Sequence, residues 1–206
     1  MKQSPILFTS MLMMIASISM TYFAGAQQIV LTNQEPKITH TITMETNHGN
    51  VVIGLYGDDA PKTVANFVGL AEKNFYDGIL FHRVVPGFVI QAGDPKTKDE
   101  SMKNMWGTGG ESIYKGDFED ELNPSAKSYQ IGYAKGVLAM ANRGPNTNTS
   151  QFFICLEDLG LPKSYTMFGK VTGGMDIVAK IAAVPLSGST PKEPVIIKSM
   201  KVTKKG

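Results

Sequence analysis

The sequence predicts one mainly β domain, built as a barrel or a sandwich, on three observations. Apolar and polar residues alternate near the start of the folded region, which is the period of a half-buried strand. Helical spacing of apolar residues occurs in only two stretches. Most of the remaining chain consists of short apolar runs separated by Gly, Pro and Asn, the pattern of many short strands joined by turns. The chain has 206 residues, enough to bury a sizeable core in a single domain.

Residues 1–26 differ in kind from the rest. Lys2 precedes a mostly apolar stretch from Ile6 to Phe23, and Ala24-Gly25-Ala26 ends it with small residues. A positive start, an apolar middle and a small-residue exit are the parts of a secretory signal peptide. The expectation is cleavage after Ala26 and export to a periplasmic or extracellular space. The alternative is an uncleaved membrane anchor, since the stretch is near the minimum of about 17 residues for a spanning helix. Ser10, Ser17, Ser19 and Thr21 dilute it, however, and no basic cluster follows. Residues 27–38 are polar and aperiodic and read as a linker, leaving 39–206 as the folded domain.

Within that domain Ile42, Met44 and Thr46 share one face, as do Val51, Ile53 and Leu55. Asn47-His48-Gly49-Asn50 lies between them, so the spacing predicts a hairpin in which Gly49 supplies a turn conformation. Pro61 suits the first position of a helix, and Asp58 and Asp59 would favour the positive end of its dipole. Val64, Phe67, Val68 and Ala71 carry that helix toward Lys73. A second helix is predicted over 175–183, with Val178 and Ile181 facing inward. Val195-Ile196-Ile197 into Val202 reads as a closing strand.

Charge is nearly balanced, at +2 overall and, without residues 1–26, 19 basic against 18 acidic residues. That balance gives no reason to expect nucleic acid as a partner. The three histidines are scattered and do not suggest a metal site. Gly107-Thr108-Gly109-Gly110 superficially resembles a phosphate loop, but no Lys-Ser or Lys-Thr pair follows it. The sole cysteine, Cys155, lies in an apolar run and reads as a buried, inert thiol.

The most informative stretch runs from Phe81 to Pro95. It sets Arg83 among Phe81, Val84, Val85, Phe88, Val89 and Ile90, with Gln91 just beyond. A guanidinium is always charged and presents five donors in a fixed fork. Among hydrophobes it is costly unless hydrogen-bonded or open to a cleft. Taken alone, the run is also compatible with a core strand whose arginine pairs with a distant acid.

A second segment, Ala139 to Ile154, decides between these. Phe81-His82-Arg83-Val84-Val85-Pro86-Gly87-Phe88-Val89-Ile90-Gln91-Ala92-Gly93-Asp94 is followed in order by Gly107-Thr108-Gly109-Gly110 and Phe118-Glu119-Asp120-Glu121. Then come Met140-Ala141-Asn142, Gly144-Pro145-Asn146-Thr147-Asn148, Ser150-Gln151-Phe152-Phe153-Ile154 and Phe168-Gly169-Lys170-Val171. In these blocks, spread from Ile42 to Val202, the chain resembles the cyclophilin family of peptidyl-prolyl cis-trans isomerases.

The resemblance implies a closed eight-stranded antiparallel β-barrel capped by two α-helices, with the substrate groove on its outer surface. It implies an enzyme that rotates X-Pro bonds in proline-containing polypeptides, and with the export signal the expectation is a monomer that assists the folding of exported proteins. No cofactor, metal or covalent intermediate is implied. Arg83 is implied as the catalytic donor. Phe88, Val89, Phe153 and Leu161 would line the proline pocket, and Gln91 and Gln151 would help hold the arginine and the substrate carbonyl. Ala141 and Asn142 would bind the peptide backbone, with His82 and Tyr165 at the groove wall.

Three departures from the family pattern stand out. Val89 replaces a methionine. Leu156 to Tyr165 lacks a tryptophan found in many relatives, and Tyr165 stands for a histidine. Arg143 follows Asn142 where a small residue is usual, so it could narrow the groove or add a charge. Trp106, in a lengthened loop from Pro95, is a candidate cover for the groove rim. Without the tryptophan near Leu161, weak cyclosporin binding is expected. Two rivals to an isomerase remain. A proline-binding scaffold would have less need of Arg83 and Gln91 together, and a hydrolase using Ser150 or Cys155 lacks an identifiable base.

Overall fold

The structure is a computed structural model and describes residues 35–204. The predicted signal segment and residues 27–34 of the predicted linker lie outside the described residues. Residues 35–38 pack against the domain: Pro36 is buried, Glu35 pairs with Lys170, Lys37 pairs with Asp58, and Ile38 lies against Gly54.

The first hairpin forms as its alternation predicts. Strands β1 (His40–Thr46) and β2 (Gly49–Leu55) set Ile42 opposite Ile53 and Met44 opposite Val51, all four fully buried. Gly49 closes the turn at φ +131, a backbone conformation that side chains disfavour. Helix α1 (Pro61–Glu72) follows, begun by Pro61 and burying Val64, Phe67, Leu70 and Ala71. Phe67 meets Tyr76, Phe152 and Phe168 with ring centroids 5.0, 5.3 and 5.1 Å away.

The acids expected at this helix act elsewhere. No acidic residue lies in its first turn. Its orphan N–H groups at Lys62 and Thr63 are instead taken by the Glu121 carboxylate, at 3.0 and 2.7 Å. Asp59 accepts the Ser128 N–H at 2.7 Å, at the start of a short helix α2 (Lys127–Ile131) that the sequence reading did not foresee.

The remaining elements are β3 (Arg83–Val85), β4 (Val89–Ala92), 3-10 turns at Pro95–Lys98 and Glu100–Met105, β5 (Val137–Met140) and β6 (Phe152–Cys155). Then come β7 (Met167–Gly173), helix α3 (Met175–Ala182) with Val178 and Ile181 fully buried, a small hairpin β8 (Leu186–Ser187) and β9 (Thr190–Pro191), and β10 (Ile197–Lys204).

Eight strands form one curled antiparallel sheet in the order β10-β1-β2-β7-β5-β6-β4-β3. The predicted closed ring of ladders is therefore not continuous, because β3 and β10 remain edges. Among the described residues a short seam joins the segments that lead into them. Gly78 and Phe81 donate to the carbonyls of Ile197 and Val195, and Ile197 donates to Ile79, at 2.8 to 2.9 Å. β3 is three residues long, and Pro194 has no N–H to extend the seam.

The sheet carries apolar side chains on both faces. Val84, Ile90, Phe152, Ile154 and Leu138 point into the main core with α1 and α3. Val89, Val137, Ala139, Phe153 and Cys155 form a second cluster on the outer face with Tyr133 and Met167. This is why the run around Arg83 reads as almost continuously hydrophobic.

Candidate active site

The β3–β4 hairpin fixes the arginine. Arg83 pairs with Gln91 across the hairpin, and Gln91 pairs with Phe153 on β6. Residues directly opposite one another share a face. Arg83, Gln91 and Phe153 thus form one row on the outer face, and Val89, two residues from Gln91, joins them. A cavity of about 280 Å³ opens over this row, lined by Arg83, Phe88, Val89, Gln91, Ala141, Asn142, Phe153, Leu161 and Tyr165. Nine of the eleven predicted site residues therefore meet in one place. A larger apolar groove of about 610 Å³ lies against α3, but its charged lining residues are only Lys135, Glu157 and Asp176. The chemistry, rather than the size, selects the smaller cavity.

No carboxylate lies within ion-pair distance of Arg83 among the described residues, so the reading of a core arginine paired with a distant acid fails. Its guanidinium donates to Gln91 Oε1 at 3.2 Å and lies 5.8 Å from the centre of the Phe88 ring. Gln91 Nε2 donates to Gln151 Oε1 at 2.9 Å. Gln151 Nε2 donates to the carbonyls of Gly107 and Gly109, at 3.0 and 2.6 Å. Those carbonyls can only accept, so the orientation of both amides is determined. The loop itself is held by buried Asp94, whose carboxylate accepts the N–H groups of Lys96, Gly107 and Gly109 at 2.8, 2.6 and 3.0 Å.

Gln151 therefore stands behind the cavity and supports Gln91, and its side chain is outside the lining. His82 lies outside it too. Alternation turns it away from Arg83, and it is 7% exposed, with both ring nitrogens buried and unpartnered among the described residues. The Asn142 side chain donates to Ser164 O at 2.9 Å and to Asp120 at 3.4 Å, so it scaffolds the loop that presents its main chain. Tyr165 packs edge-on against Phe153 at 5.6 Å, and its main chain is held on both sides by the Tyr133 hydroxyl.

Arg143 and Trp106 both act away from the cavity. Arg143 donates to both oxygens of Asp117, at 2.8 and 3.0 Å, across a separate polar groove with Thr108 and Thr149, so it does not narrow the proline cavity. Trp106 follows the second 3-10 turn and lines a small cavity with Leu80, Phe81 and Pro194, so it does not cover the rim. Sequence reasoning gave no role to Asp94 or Asp120. Asp94 had a signal, as the one acid in a motif whose other residues are mostly apolar or small, whereas Asp120 sits between Glu119 and Glu121 and is not singled out by its neighbours.

Burial holds the His82 pKa below its ordinary value, opposed by Asp94 and the nearby Leu80 backbone and aided by Arg83. An unfolded histidine titrates near about 6.5. Between that pH and the lower native value the unfolded chain binds more protons, so stability is full above about 6.5 and falls below it. We expect a lower Tm at about pH 5.5 than at pH 7.5, with a smaller difference in His82→Gln. An unchanged difference in that variant would assign the effect to another group.

Comparisons with known proteins give the family of the chain. Residues 41–202 match the family described as cyclophilin type peptidyl-prolyl cis-trans isomerase/CLD. The chain is 40% identical over 167 residues to the peptidyl-prolyl cis-trans isomerase-like 1 of Aspergillus fumigatus, covering 80% of this chain and 96% of that one. It is 41% identical over 162 residues to peptidyl-prolyl cis-trans isomerase ppi1 of Schizosaccharomyces pombe, covering 77% and 97%. A crystal structure of a Cryptosporidium parvum cyclophilin type isomerase superposes with a TM-score of 0.72 at 33% identity, covering 82% of this chain and all of that one. The same protein determined in the presence of the dipeptide Ala-Pro gives 0.71 at 34% identity, covering 80% and 99%. With that match over residues 41–202, and with Arg83 over a cavity walled by Phe88, Val89, Phe153 and Leu161 on the outer face of this sheet, the chain belongs to the cyclophilin-type peptidyl-prolyl cis-trans isomerase family.

Proposed function

We propose that the chain catalyses rotation about X-Pro bonds by stabilising the twisted amide electrostatically, with Arg83 as the donor, and that its clients are exported polypeptides during folding. Resonance gives the peptide C–N bond a rotation barrier of about 18–20 kcal/mol. Before proline the isomers are close in energy, yet they exchange in tens to hundreds of seconds. In the twisted state resonance is lost and the lone pair localises on the prolyl nitrogen. A donor aimed at that nitrogen binds the twisted state more strongly than either planar isomer, and that difference is catalysis. Phe88, Val89, Phe153 and Leu161 hold the ring while the preceding carbonyl turns.

The observation that carries this reading is Arg83 itself, facing the cavity with no carboxylate of the described residues within ion-pair distance. Covalent chemistry has no support. Ser150 Oγ donates to Gly93 O at 2.6 Å in a buried site. Burial, with Asp158 adding to it, pushes the Cys155 thiol up to about 12. The Ala-Pro dipeptide in the Cryptosporidium parvum study supports proline-containing peptides as the substrate class. The test is exchange spectroscopy on a panel of X-Pro peptides with catalytic amounts of protein. Acceleration is expected, and binding without acceleration would favour a proline-binding scaffold.

Export is inferred from Lys2, the apolar stretch and Ala24-Gly25-Ala26. Protein recovered from its host should begin at Gln27, whereas a full-length chain in the membrane fraction would support an anchor. The seam between residues 78–81 and 195–197 supports a barrel that closes there, and the protein is taken to work as a monomer. Cyclosporin should bind weakly, because Leu161 and its neighbours offer no indole, a group both apolar and a donor. Gly160 is exposed, and a Cβ there would meet nothing within 4 Å. Gly160→Trp should therefore raise inhibitor affinity with little change in turnover. Tight inhibition of the unmodified protein would show that another group makes the contact.

A further inference from the structure

We infer that Lys163 forms a carboxylate-binding subsite beside the proline cavity, selecting peptides with Asp or Glu a few residues from the proline. The inference rests on the isomerase reading and adds a specificity to the same groove. A second cavity, of about 210 Å³, shares the Leu161 side chain with the proline cavity and is lined also by Gly132, Tyr133, Leu159, Asp158 and Lys163. An extended peptide advances about 3.3–3.6 Å per residue, so a side chain two or three residues from the proline can pass Leu161 and enter it.

The ammonium there is held in place. It donates to the Tyr129 carbonyl and lies 4.9 and 5.6 Å from the ring centres of Tyr129 and Tyr133. Gly132, at φ +71, makes room for it: a Cβ at that position would fall 2.5 Å from Lys163 Nζ. An ammonium has three donors, and a single carbonyl leaves two to spend. No carboxylate of the described residues lies within ion-pair distance of Lys163. Neighbouring charges are already engaged, Lys135 with Glu157 at 3.2 Å, and Asp158 with the Lys135 N–H at 2.8 Å. Burial also lowers the Lys163 pKa, a cost that an incoming carboxylate would offset.

The competing role is structural, since the Tyr129 carbonyl belongs to α2 and Lys163 caps that helix. The experiment uses matched peptides with Glu or Gln placed one to four residues on either side of the proline. Turnover by exchange spectroscopy and affinity by titration are measured for the wild type, Lys163→Met and Asp158→Asn at low salt. At one position Glu should be favoured over Gln by about fivefold in affinity and kcat/KM, the scale of a partly exposed ion pair. The preference should vanish in Lys163→Met, with Gln peptides unaffected, and should rise in Asp158→Asn. Equal affinity for Glu and Gln at every position overturns the proposal, as does a preference that survives Lys163→Met or a uniform loss on all peptides. Absence of turnover with the affinity difference intact would overturn the isomerase reading and leave the subsite standing.

Discussion

Arg83→Ala is expected to lower kcat/KM for X-Pro peptides by about a hundredfold, the typical loss for one preorganised donor. The fold should survive, because the side chain faces an open cavity and leaves no ion-pair partner behind. Gln91 Oε1 loses one donor at 3.2 Å, which solvent in the cavity can replace. The guanidinium acts chiefly in the twisted state, so kcat should fall more than KM rises. Arg83→Lys should also be poor, since a point charge cannot reproduce the fork. Circular dichroism and thermal unfolding establish the fold, and exchange spectroscopy measures turnover. A folded Arg83→Ala protein with near-normal turnover would sink the mechanism.

Phe67→Ala should do the reverse and spare the chemistry while weakening the fold. Phe67 is fully buried on α1 and touches three aromatic rings that tie the helix to the sheet and to the segment after it. Truncating such a residue costs about 3–5 kcal/mol from lost burial and the cavity left behind. Urea unfolding should show that loss. Turnover per folded molecule should stay within about twofold, because Phe67 meets the inner face of β6 and the cavity lies on the outer one. A loss below about 1 kcal/mol would mean that the core collapses around the gap.

Much of this was legible in the sequence. The first hairpin and both longer helices follow from local periodicity, which one strand or one helix imposes on its own residues. Seven of the nine cavity residues lie in the ordered motifs, and Leu161 and Tyr165 follow from their place between Ile154 and Phe168. Other features depend on contacts between distant segments. Glu121 caps α1 from nearly sixty positions away, and Asp59 caps a helix other than the one it precedes, so neither is visible in a local window. The break in the ring of strands is likewise set by how edges meet. His82 lies off the cavity, because extending the alternation of β3 back by one residue puts it with Val84 on the face opposite Arg83. Gln151 shares a face with Phe153, but the 107–109 loop covers it, and only the folded loop reveals that.

The two glutamines beside Arg83 carry a consequence of their own. They are neutral, so they steer the guanidinium without cancelling its charge. A glutamate at position 91 could fill the same space and grip the arginine harder, but the grip would be strongest when no substrate is present. The attraction meant for a fleeting, strained amide would then be consumed by a permanent neighbour. An amide at this position directs the cation while leaving its field unspent.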